Sequence, residues 1–113
     1  MRLTKEQMRA HIMALLEKYD INVEWCDRPS RAWSSHIAEL IRIAPIRSAI
    51  SYATALHEIG HIRGRHQRSA DPMVRERWAW RWARANAMAW TAAMERDARM
   101  ALAYATRQHE AKG

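Results

Sequence analysis

Phenylalanine is missing from this chain, cysteine occurs once, and acidic residues are outnumbered by basic ones, 12 to 19. The lone Cys26 cannot close an internal disulfide, which points to a reducing, cytoplasmic setting and to Cys26 as a small apolar side chain in the core. One cysteine also excludes a zinc finger built on cysteine pairs. No run of about 20 apolar residues is present, so no membrane span can be drawn. A signal-peptide core is missing too, because Arg2, Lys5, Glu6, Arg9 and His11 interrupt the N-terminal segment. Low-complexity segments, internal repeats and a helix-turn-helix with its turn glycine are likewise absent. What remains is a single domain over residues 1–113, 49% hydrophobic and therefore too apolar for a disordered chain.

One pentapeptide carries chemistry. His57-Glu58-Ile59-Gly60-His61 fits the pattern HExxH, in which two histidines a helical turn apart meet one cation and the glutamate beside the first acts as general base. With 6 histidines and 8 glutamates in 113 residues, a shuffled chain would hold roughly 0.02 matches, so coincidence is a poor explanation. The surroundings are helical. Ala53, Leu56, Ile59 and Gly60 recur at helical spacing, and no proline stands between Pro45 and Pro72. Zn2+ suits such a pair, since a catalytic zinc takes three protein ligands and keeps a fourth position for water. Gly60 is costly inside a helix by up to about 1 kcal/mol, which is reasonable if another backbone passes close to that turn.

The third ligand has two candidates. His66 gives HEIGHIRGRH, close to the metzincin signature with Gly64 in its place, but the last histidine comes one residue early. Glu76 stands one turn into a helix that should start at Asp71 and Pro72, an N-cap and a first-position proline. A carboxylate on a packed helix is held more rigidly than an imidazole on a loop, which favours Glu76 and keeps His66 as the alternative.

From about Val23 to Ala93 the chain resembles the ImmA/IrrE-type zinc metallopeptidases, in particular their small phage and prophage members. The resemblance rests on HEIGH and on the block with Glu76, Ala79, Trp80, Trp82 and Ala83. It implies a minimal gluzincin-like hydrolase domain, a zinc ion, and as substrate a helix-turn-helix repressor that keeps a phage or mobile element silent. Relatives often carry a second glutamate where Trp78 stands here, and the interval from His61 to Glu76 is short for the family. Both departures bear on the third ligand.

The expected fold is α+β. Thr4 to Gln7 reads as a capping box opening a helix over 4–19, with Met8, Ile12, Leu15 and Leu16 on one face. Ile21–Cys26, Arg31–Ser34 and Ala38–Ala44 supply three strands, and helices follow over 48–64, 72–90 and 92–109, the last capped by Thr91. About four helices should cover a small antiparallel sheet of about three strands, with HExxH on the central helix, and a strand edge near the metal could take an extended peptide.

Six tryptophans replace the absent phenylalanines. Aromatic rings at helical spacing are usually core, yet Trp80 could wall the metal site and Trp78 or Trp82 could present a protein interface or a homodimer contact. Between Arg63 and Arg84, seven arginines face only Asp71 and Glu76, within a net charge of +7. That region 63–84 would attract an acidic peptide or a nucleic-acid backbone. Three readings result: a zinc endopeptidase using His57, His61, Glu76 and Glu58, with Tyr52, Tyr104 or His109 as oxyanion donor; a non-catalytic protein-binding module on the same fold; and, least favoured, a basic nucleic-acid-associated protein.

Overall fold

Each helix begins where a polar side chain closes its first turn. In the computed structural model, which describes residues 2–112, α1 spans Lys5–Lys18, β1 Asn22–Trp25, β2 Trp33–Ser35, β3 Leu40–Ile43, α2 Ala49–Arg63, α3 Pro72–Asn86 and α4 Ala92–Lys112. Thr4 Oγ1 accepts from the Gln7 N–H at 3.1 Å, and Gln7 Oε1 accepts from the Thr4 N–H at 2.8 Å, a reciprocal capping box. Asp71 accepts from the Met73 N–H at 2.9 Å ahead of Pro72, and Thr91 accepts from the Met94 N–H at 3.2 Å. Ser48 and Ser51 form a second capping box at the start of α2.

The sheet is mixed rather than antiparallel. Its order is β1-β3-β2, with β1 parallel to β3 and β2 antiparallel to it. The physical reason lies in β3, whose Ile41 and Ile43 are fully buried while β1 and β2 bury no side chain completely. The most apolar strand takes the centre, so the chain passes from β1 through β2 on the far edge before returning between them. Helix α3 ends at Asn86, four residues before the expected limit. Ala87 turns extended, and the freed segment is used: the Met88 N–H donates to Tyr52 Oη at 3.0 Å and Trp90 Nε1 donates to Glu95 at 2.8 Å. Helix α4 continues to Lys112.

Helix α2 runs through the middle. It packs on α1, α3, α4 and the sheet, and ten of its fifteen residues are buried. Around it lie Ile12 and Leu16 from α1, Ile41 and Ile43 from β3, Trp80 and Ala83 from α3, and Met94 and Ala98 from α4. Gly60 explains the close fit with α3. A Cβ there would strike the carbonyl oxygen of Ala79 and come within 3.1 Å of its Cα, so only glycine lets the two backbones meet. Of the six tryptophans only Trp80 is buried; Trp25 and Trp33 are exposed on the edge strands. Cys26, just past the end of β1, is only half-buried rather than in the core, its thiol donating to the Arg28 carbonyl at 3.3 Å.

Candidate metal centre

The buried middle of α2 carries His57 and His61 one turn apart, with ring centroids separated by 4.5 Å. Because Gly60 brings α3 close, Glu76 on its first turns reaches both imidazoles. Its Oε1 lies 3.3 Å from His57 Nε2, and its Oε2 pairs with His61 Nε2. One donor atom from each of the three residues falls within 4.8 Å of the others, the single such group among the described residues. Two imidazole nitrogens and one carboxylate oxygen form the donor set of a catalytic zinc site with a position to spare. His57 Nε2 is buried and meets no strict hydrogen bond, with only the Glu76 carboxylate beside it at 3.3 Å, so a cation placed between them would serve both.

Electrostatics favour a cation at this point. Burial alone would lower the His57 pKa, but the carboxylates of Glu58 and Glu76 outweigh it and hold the metal-free imidazole at about 9. Burial would likewise raise Glu76, yet His57 and His61 hold its carboxyl far below the ordinary carboxylate range. Negative potential that retains a proton so firmly is available to a divalent ion once the protons leave.

Glu58 is almost fully buried, with Oε2 3.5 Å from His57 Nδ1. It lines an open cleft of about 480 Å³ together with His57, His61, Glu76, Trp33, Ser34 and Arg75. Trp33 and Ser34 of this lining belong to β2, an edge strand whose second side is unpaired in the sheet. Trp80 lies flat against the His57 ring, 4.2 Å between centroids and 12° between planes, so its ring both fills the core and walls the site.

His66 is outside the group. Its backbone adopts φ 60, and its ring packs edge-on against Trp78 at 4.6 Å. The loop after Gly64 uses that left-handed residue to turn the chain towards α3, which removes the imidazole from the metal face. Tyr52 is excluded as an oxyanion donor, because its buried hydroxyl pairs with His11 Nδ1 at 2.6 Å and accepts the Met88 N–H. Tyr104 and His109 share a depression with Glu76 between α3 and α4.

Two residues near the site had no signal in the sequence. Gln67, in the loop after α2, meets His61 Nδ1 at 2.9 Å, and Asp97 of α4 lines a depression with His57, Glu58 and Trp80. Burial raises the Asp97 carboxyl despite the attraction of His57. Neither position repeats with the motif, so only the packing reveals them. The arginines of region 63–84 are largely engaged: Arg63 covers the Tyr19 ring, Arg81 covers Trp78, Arg75 donates to the Ser69 carbonyl, and Arg84 pairs with Glu95. No protein-family model, no curated protein and no solved structure matches this chain.

Proposed function

We propose that the chain is a zinc-dependent endopeptidase resembling the ImmA/IrrE type, acting in the cytoplasm on a protein such as a helix-turn-helix repressor of a phage or mobile element. The observation that carries this reading is the convergence of His57, His61 and Glu76 beside buried Glu58 in one open cleft. Bound zinc would supply Lewis acidity and lower the pKa of a water to about 7. The chain's own residues do the rest. Glu58 accepts a proton as the water oxygen bonds to the scissile carbonyl carbon, then delivers it to the amine nitrogen as the C–N bond breaks. The edge of β2 offers backbone N–H and C=O groups to an extended peptide, holding its carbonyl over the cleft. Trp80 and the surrounding core keep His57 from swinging away.

The nucleic-acid reading has less support, since four of the seven arginines are spent on rings, a carbonyl and a carboxylate within the fold. No helix among the described residues is long and apolar enough to cross a membrane. Glu58→Gln tests the proposal against a non-catalytic binding module. With zinc-loaded protein and a fluorescence-quenched random peptide library, the variant should keep its zinc and lose cleavage by about 10² or more, the usual worth of a general base. An equally active variant, or zinc-loaded wild-type protein that cleaves no peptide in the library, would overturn the enzyme reading.

A further inference from the structure

The His61 ring has two nitrogens, and only one can face a metal. Its Nδ1 lies 2.9 Å from Gln67 Oε1. The orientation of that amide is fixed by what surrounds its other end. Gln67 Nε2 lies 3.2 Å from the Arg65 carbonyl and 2.9 Å from the Arg75 carbonyl. Two carbonyl oxygens can only accept, so the amide nitrogen must face them with its two protons and the amide oxygen must face the imidazole. An amide oxygen can only accept as well. Nδ1 of His61 therefore carries a proton, and Nε2, which faces the Glu76 carboxylate, is the nitrogen left to give its lone pair to an ion placed between Glu76 and the two histidines.

The same side chain also reaches the third ligand. Its bond to the Arg75 carbonyl holds the peptide group that joins Arg75 to Glu76, while Arg75 Nη1 straps back to the Ser69 carbonyl at 2.5 Å. One amide thus connects a ligand on α2 to the backbone of a ligand on α3. We propose that Gln67 is a positioning residue for the metal centre: it sets the His61 tautomer and fixes the approach of Glu76, and so raises zinc affinity without touching the metal. The inference rests on the metal-centre reading.

General experience with such outer partners puts the expected loss at about 10–100-fold in metal affinity. The test compares wild type, Gln67→Ala and Gln67→Glu by zinc competition against a chromophoric chelator, by the visible spectrum of the cobalt-substituted protein, and by urea unfolding of the metal-free protein. Gln67→Ala should bind zinc about 10–100-fold more weakly and shift the cobalt bands. Gln67→Glu keeps an acceptor for the His61 Nδ1–H, so it should recover part of that affinity. A purely structural glutamine would lower only the urea midpoint, and wild-type zinc affinity with an unchanged cobalt spectrum in Gln67→Ala would overturn the proposal. Wild-type protein that binds no zinc would remove the metal centre itself, a separate failure that takes this inference with it.

Discussion

Tyr52 and His57 lie on the same helix, both buried, and differ in what their polar atoms find. The Tyr52 hydroxyl is used twice, by His11 and by the Met88 N–H, whereas His57 Nε2 finds no hydrogen bond. The satisfied hydroxyl of Tyr52 is structural, while His57 Nε2, with only the Glu76 carboxylate beside it, is open to a ligand. Tyr52→Phe should therefore destabilise the protein by about 1–3 kcal/mol, because the Met88 N–H loses its acceptor, while zinc binding stays unchanged. Urea unfolding with a parallel zinc titration checks both halves. A loss of zinc affinity in that variant would return Tyr52 to the site.

Pairing between α2 and α3 brings Glu76 to His57 and His61, and Gly60 is the residue that permits it. Gly60→Ala adds a methyl against the Ala79 carbonyl, a backbone group that cannot rotate aside. Alanine's better helix propensity returns up to about 1 kcal/mol, but overpacking of this kind costs about 1–3 kcal/mol, so the variant should be less stable and Glu76 should sit farther from the histidines. Chemical denaturation of the metal-free protein and zinc competition measure the two effects; unchanged stability with unchanged affinity would mean the helices do not meet as described.

At this same scale the sequence was readable where signals are local. Thr4, Asp71 with Pro72, and Thr91 mark helix starts through side chains that bond within three residues, and the HExxH spacing fixes one face of one helix. Strand order was not readable, because β3 takes the centre through burial of Ile41 and Ile43 against helices far away in sequence. The end of α3 was missed for a related reason. Residues 87–90 contain no proline or glycine, and what holds them off the helix is the bond from the Met88 backbone N–H to Tyr52 and that from the Trp90 indole N–H to Glu95. Only the loop conformation and the helix packing show that Glu76 lies beside the two histidines and His66 outside their group.

The whole molecule is organised around α2, which packs on every other helix and on the sheet. A Cα radius of gyration of 13.4 Å is about what a folded chain of this length should have, and one cluster of buried residues joins α2 to α1, β3, α3 and α4. The candidate metal centre and the hydrophobic core therefore share walls: Trp80 belongs to both, and Glu58 is buried beside His57. An ion bound there would stabilise the fold by mass action, which ties stability to occupancy.

The proposed centre requires that His57, His61 and Glu76 together hold one metal ion. Metal content by mass spectrometry on protein purified without a metal-affinity tag tests it directly, comparing wild type with His57→Ala, Glu76→Ala and His66→Ala. The prediction is close to one zinc per chain in wild type and in His66→Ala, with the metal lost in His57→Ala and Glu76→Ala. Retention of zinc by Glu76→Ala together with its loss from His66→Ala would contradict the ligand set, and wild-type protein that takes up no zinc when supplied with it would contradict the metal centre.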